Sequence, residues 1–434
     1  MKTTNILLLE VIHAPGNLAK VLAIVGEAGI AVQALQSLGR KQNMTRWELT
    51  IEVDENLIDP LCLEIDKLPI VTVIGKSDRI FRQHQGGKIE VKSRSSIDNL
   101  QTLRDVYTPG VARVCLAIEK DPSLARKYTS IPNTVAIVTN GTAILGLGDI
   151  GPVAGLPVME GKAALFQIFS DISGVPILIN SKDPKEIIRI VEGIAPSFGA
   201  VQLEDIAAPG CFEIESELRA RLDCPVLHDD QHGTAVVVMA ALLNAAKISG
   251  LNLSDCVIGQ IGLGAAGLGI AQLLMRSGVH QILGADLSKD AQERLRIIGG
   301  KPADLDSVMK NADVVVSTTG VKNLIKPQMI RKGQIIFALS NPDPEIEPSL
   351  ALKSGALFAA DGKNINNVLA FPGLFRGALD AGVSKFTDSM LIAAANSIAD
   401  SAEEGELIPS PLDHDAHRQV AQAVKAAALN QKID

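Results

Sequence analysis

The sequence predicts an α/β protein of at least two domains, and three observations carry that expectation. At 434 residues the chain exceeds the roughly 250–300 residues at which a single hydrophobic core stops growing. Its first 80 residues read in the order strand, helix, strand, strand, helix, strand. Much later, an apolar strand runs into Gly262-Leu263-Gly264-Ala265-Ala266-Gly267 and then into a helical pattern.

In the first block, "NILLLEVI" (5–12) is a strand-like apolar run. A turn follows, and then a helical period at Leu18, Val21, Leu22 and Val25 that Gly29 stops. "AVQALQSLGR" (31–40) and "TRWELTIEVD" (45–54) read as strands, "NLIDPLCLEIDKL" as a helix and "IVTVIGK" (70–76) as a last strand. This βαββαβ order is ferredoxin-like. With the turn Pro15-Gly16-Asn17-Leu18 after the first strand, residues 1–80 resemble an ACT domain. The resemblance implies pairing of protomers and a small-molecule effector, with a purely dimerising role as the alternative.

The polar, basic joint 78–96, with Gly86-Gly87 near its centre, reads as a solvated linker, taken as 81–96. Beyond it, strands and helices alternate as in parallel-sheet enzymes. The expected division is a substrate and metal domain over 97–231, a dinucleotide-binding domain over 232–360, and a C-terminal segment, 361–434, that completes the site. A formal net charge of −8 argues against nucleic acid as a partner. The five cysteines form no C-x-x-C pair, which suits a reducing compartment. The start lacks a signal-peptide pattern, and "AVVVMAALL" (235–243) falls short of the roughly 18 residues of a membrane span. A cytoplasmic protein without membrane association is expected.

In the glycine-rich stretch, Gly262 permits a tight turn and Gly264 lets the backbone approach a pyrophosphate. Gly267 lets helix and strand pack closely, and the N–H groups at the helix start hold the phosphates. Strand before and helix after raise the motif above a bare match and predict a Rossmann-type domain. Asp286 ends the next strand, 19 residues after Gly267, where an acid binds the ribose 2′-hydroxyl. An acid there favours NAD over NADP.

Chemistry concentrates in the middle of the chain. "VLHDDQHGTA" (226–235) sets two carboxylates between two histidines four residues apart, a spacing that also fits a metal-binding histidine pair. No further histidine or cysteine stands nearby at ligand spacing, whereas Glu204 and Asp205 end another apolar run, "VQL". Neighbouring parallel strands bring such ends together, so Glu204, Asp205 and Asp230 converge, and three carboxylates suit Mg²⁺ or Mn²⁺ rather than zinc. A dinucleotide and a hard cation point to a hydroxy acid that is oxidised and then loses CO₂. Lys162 is the candidate base and Tyr107, one of only two tyrosines, the candidate acid. A metal-free amino-acid dehydrogenase and a non-catalytic nucleotide sensor are the other readings; the carboxylate trio weighs against both.

"YTPGVA", "GLGDIGP", "PVMEGKAALF", "LEDIAAPGCFEIE", "HDDQHGTA", "ALSNPDPEIEP" and "INNVLAFPGLFRGALD" together resemble the motif set of malic enzymes of the short bacterial type, in the family's order over roughly 96–400. The resemblance implies a homodimer or higher oligomer that converts L-malate to pyruvate. It makes Tyr107 the general acid, Lys162 the general base, Glu204, Asp205 and Asp230 the metal ligands, and Asp229 a carboxylate beside Lys162. Asn341 and Asn367 match asparagines that hold substrate carboxylates or the nicotinamide end.

Overall fold

The computed structural model describes residues 2–144, 147–363 and 365–430. Gly146 of the "GLGDIGP" motif and Asn364 of "ADGKNINNV" lie outside them. The chain divides into two compact units, residues 1–90 and 91–434.

The first unit has the expected βαββαβ order. Strands β1 (Lys2–Ile12), β2 (Val32–Lys41), β3 (Met44–Asp54) and β4 (Val71–Asp78) form one sheet in the order β2-β3-β1-β4. All neighbours are antiparallel. Alternation along β1 turns Leu7, Leu9 and Val11 inward. They pack with Leu49 and Ile51 of β3 and with Val21, Val25, Leu61 and Ile65 of the two helices, Asn17–Glu27 and Glu55–Asp66. Gly16 starts the first helix at φ +82, a left-handed conformation that glycine adopts without strain. Part of the stretch expected as a linker is ordered: Asp78 caps a short helix, Arg79–His84, by accepting from Ile80 N–H at 2.7 Å. No helix or strand occurs over 85–99.

The second unit is built on two parallel sheets. One has the order β6-β5-β7-β8, with β5 Thr134–Thr139, β6 Ser173–Leu178, β7 Ala200–Leu203 and β8 Val226–His228. The other comprises β9 (Val257–Ile261), β10 (Gln281–Ala285), β11 (Lys301–Pro302), β12 (Val314–Ser317), β13 (Ile335–Ala338) and β14 (Phe358–Asp361). Its order, β11-β10-β9-β12-β13-β14, is the 3-2-1-4-5-6 arrangement of dinucleotide-binding sheets.

The helix Asp229–Ser249 joins them. Its residues 235–242 are all buried, in one cluster with Ile137 of β5, Leu227 of β8, Ile258 of β9 and Phe337 of β13. By length and composition it could span a membrane, but 67% of its apolar window is buried in the fold, as in a core helix. It packs closely on the helix Ala265–Arg276: a Cβ on Gly269 would lie 2.4 Å from the Gln231 carbonyl oxygen. Gly269→Ala is therefore expected to push these helices apart and to cost about 1–3 kcal/mol of stability, measured by urea unfolding.

Candidate active site

The site is assembled at the carboxyl ends of two neighbouring strands. β7 and β8 pair with Leu203 opposite His228, so the next residues, Glu204 and Asp229, emerge side by side. Asp205 follows with φ 53, a left-handed conformation that aspartate tolerates better than most residues. Its N–H donates to Asp230 Oδ2 at 2.8 Å, which locks the two strand ends together. Oxygens of Glu204, Asp205 and Asp230 lie within 4.8 Å of one another. Glu204 and Asp205 are buried, while Asp230 keeps 32% of its side chain open. This all-oxygen cluster suits a hard divalent cation.

Lys162 reaches the cluster from the helix Pro152–Ser170. It is buried, with Nζ 3.0 Å from Glu204 Oε1 and hydrogen-bonded to Asp229 Oδ2. Nζ also lies 4.5 Å from the centre of the Phe371 ring. The same Asp229 oxygen accepts from Asn367 Nδ2 at 2.9 Å. The C-terminal segment therefore lends the site both Asn367 and Phe371. Asp229 fits because residue 233 is glycine: a Cβ there would stand 1.8 Å from Asp229 Oδ1.

The electrostatics follow from one cation among four carboxylates. Burial pushes Glu204 well above the ordinary carboxylate range, and repulsion from Asp229, Asp230 and Asp205 adds to it against the pull of Lys162. Burial likewise raises Asp229. Burial also raises Asp230, but the hydrogen bond and charge of His228 outweigh it and hold this carboxyl below its usual range. Burial alone would lower Lys162; the charges of Asp229 and Glu204 overcome it and raise the lysine.

The two histidines face carboxylates rather than forming a ligand pair. His228 precedes the Asp229–Ser249 helix, with Nε2 3.2 Å from Asp230 Oδ2. His232 Nε2 is 3.0 Å from the buried Glu215. Glu215 also accepts from His228 N–H at 3.1 Å. Burial would raise the Glu215 carboxyl, but His232, His228 and Arg219 bring it down to about 2. The helix begins at Asp229, so both aspartates occupy its first turn, where the helix dipole favours negative charge.

The glycine turn is built as its spacing implies. A Cβ at Gly262 would lie 2.7 Å from Thr318 O, and one at Gly267 would lie 1.9 Å from Gly262 O. At Gly264 a Cβ would meet nothing within 4 Å, which leaves room for a phosphate to approach. Asp286 follows β10 and accepts from Leu263 N–H at 2.7 Å and Ser288 N–H at 2.8 Å. Asn341 follows β13, with Nδ2 donating to Gly362 O at 3.3 Å. Tyr107 is 68% exposed and is not a member of the buried Lys162 cluster.

Sequence models of two families match the chain: "Malic enzyme, N-terminal domain" over residues 86–186 and "Malic enzyme, NAD binding domain" over residues 231–301. NAD-dependent malic enzyme 1 of Bacillus subtilis is 48% identical over 98% of this chain and 97% of its own. The chain belongs to the malic enzyme family. The NAD-dependent malic enzyme of Geobacillus stearothermophilus is 42% identical, covering 94% of this chain and 91% of that one. A crystal structure of malic enzyme from Pyrococcus horikoshii superimposes with a TM-score of 0.75 at 42% identity, over 80% of this chain and 88% of that one.

Sequence reasoning missed several parts of this malic enzyme site. Gln202 donates to Glu204 Oε2 at 2.5 Å, Glu215 steadies the histidines, and Phe371 lies against Lys162. Glu215 stood within a quoted motif, but nothing in its spacing pointed to His232.

Two outcomes are expected. Mn²⁺ binding at this cluster is expected to release protons, because a cation favours the ionised form of a Glu204 carboxyl whose titration is raised. Affinity for Mn²⁺ should therefore fall as pH falls, and calorimetry in buffers of different ionisation enthalpy will register the released protons. Because the folded Glu215 carboxyl is depressed to about 2, its stabilisation is present above about pH 4.5 and is lost between there and about pH 2. Glu215→Gln should cost about 3 kcal/mol at neutral pH, and the difference from wild type in urea unfolding should shrink as the pH falls below about 4.5.

Proposed function

We propose that the protein catalyses the divalent-metal-dependent oxidative decarboxylation of L-malate to pyruvate and CO₂ with reduction of NAD. The observation that carries this reading is the carboxylate trio beside a buried lysine, in a chain that also holds a dinucleotide-binding sheet. Glu204, Asp205 and Asp230 hold Mg²⁺ or Mn²⁺. When bound, the cation supplies Lewis-acid stabilisation of negative charge on oxygen, and the dinucleotide supplies the hydride acceptor.

Lys162 Nζ accepts the malate hydroxyl proton as the C2–H bond breaks. It is poised for this because its proton is held by neighbouring carboxylates; once their charge is compensated, burial favours the neutral amine. Asp229 and Asn367 keep Nζ in place. Tyr107 delivers a proton to C3 of enolpyruvate after CO₂ departs. Asn341 and Asn367 hold the substrate carboxylates or the nicotinamide end. The glycine turn receives the pyrophosphate, and Asp286 the ribose of NAD; its negative charge disfavours the 2′-phosphate of NADP.

We read the chain as a cytoplasmic homodimer or higher oligomer. The helices Leu100–Val106 and Val111–Lys120 bury none of their residues, and Leu100, Leu103, Val106 and Leu116 are exposed. Tyr107 stands on the same segment, so protomer association there would enclose it. The first unit is read as an ACT domain that serves pairing and effector binding. Its topology and a groove of ≈ 390 Å³ lined by Asp59, Leu63, Ile74 and Lys76 support this.

The test is a mixture of protein, L-malate, NAD and Mn²⁺, followed by NADH and pyruvate with and without chelator. Absence of turnover would refute the reading, and chelator-insensitive turnover would refute its metal. Lys162→Ala should lower malate oxidation by about 10²–10⁴-fold while leaving NAD affinity near wild type. Tyr107→Phe should slow the overall reaction more than decarboxylation of added oxaloacetate.

A further inference from the structure

We infer that Glu345 is a positioning residue, which clamps the two loops that carry the nicotinamide end of the site. Its side chain is fully buried, and its described partners are all N–H and O–H donors. Oε1 accepts from Thr319 N at 2.7 Å, Thr319 Oγ1 at 2.9 Å and Ser340 Oγ at 2.6 Å. Oε2 accepts from Ser340 N at 3.3 Å. Each hydroxyl also accepts a backbone N–H, and its own hydrogen goes to Glu345. Thr319 Oγ1 accepts from Val321 N at 3.1 Å, and Ser340 Oγ accepts from Gly320 N at 2.7 Å. A carboxylate satisfies both backbone N–H groups and both hydroxyls at once.

The loops it joins leave adjacent parallel strands at their carboxyl ends. Thr319 lies two residues beyond β12 and Ser340 two beyond β13. Open parallel sheets bind ligands outside this edge. The residue before Thr319 touches the glycine turn: Thr318 Oγ1 accepts from Gln260 Nε2 at 3.1 Å and lies 3.3 Å from Gly262 O. The residue after Ser340 is Asn341. Glu345 therefore fixes the spacing between the turn that receives the dinucleotide and the asparagine assigned above to substrate or nicotinamide. Burying a carboxylate is costly unless hydrogen bonds offset it. An apolar side chain here would leave these four donors without an acceptor, whereas the carboxylate holds both loops in a single geometry.

The inference rests on the proposed role of Asn341, and the experiment separates the two. Wild type, Glu345→Gln and the near-isosteric Thr319→Val are assayed with malate, C2-deuterated malate, NAD and Mn²⁺. Glu345→Gln sets an amide N–H₂ against a donor. It is expected to lower kcat by about 10- to 100-fold, as loss of near-attack geometry does. The deuterium isotope effect should rise as hydride transfer becomes limiting, while Mn²⁺ affinity stays within about twofold of wild type, since the cation ligands lie on the other sheet. Thr319→Val should show the same pattern more weakly, and the two changes combined should lose less than the product of their separate effects. Wild-type kcat and isotope effect in Glu345→Gln would overturn the inference. If that variant fails to fold, wild-type kinetics in both Thr319→Val and Ser340→Ala would overturn it. An Asn341→Ala variant with unchanged kinetics would instead sink the role of Asn341, leaving the clamp to be judged by the isotope effect alone.

Discussion

One ammonium group stands among four carboxylates, and the architecture around it follows from that imbalance. Lys162 contacts Glu204 and Asp229 directly, and Asp205 and Asp230 complete the cluster. Two neighbouring parallel strands must end at the same level to bring these acids together. The residues after them must turn sharply, which is what Asp205 does at φ 53. Acids packed this closely and buried repel one another, so the fold keeps them only with help. Lys162, the His228 imidazole, the N–H of Asp205 and the start of a long helix each supply positive charge or a donor.

The histidines belong to this support rather than to the ligand set. Glu215 holds His232 and the backbone of His228, and His228 in turn faces Asp230. A chain of partners thus runs from a buried carboxylate to a cluster oxygen. Such outer partners orient ligands as firmly as the strands that deliver them. Glu345 does comparable work at the neighbouring sheet, where its partners are hydroxyls and amides instead of imidazoles.

Much of this was legible in the sequence. The βαββαβ block showed itself through alternation and a single glycine stop, because strands and helices with one buried face write their period into the chain. The glycine turn was legible because a strand-to-helix turn this tight leaves no room for a Cβ at Gly262 and Gly267. The acids were found as ends of apolar runs, and adjacency of β7 and β8 made them meet. What escaped were contacts between distant segments. Phe371 is 209 positions from Lys162, and Glu215 meets His232 only because a helix packs behind β8. Glu345 was hidden for another reason: its partners are backbone amides and hydroxyls, which every sequence has in abundance.

The helix Asp229–Ser249 has one further consequence. Its first turn carries two acids of the cluster, and its body is shared core of both parallel sheets. Neither sheet has a complete interior without it. A fragment of the second unit cut on either side of this helix would expose apolar surface that the intact unit buries.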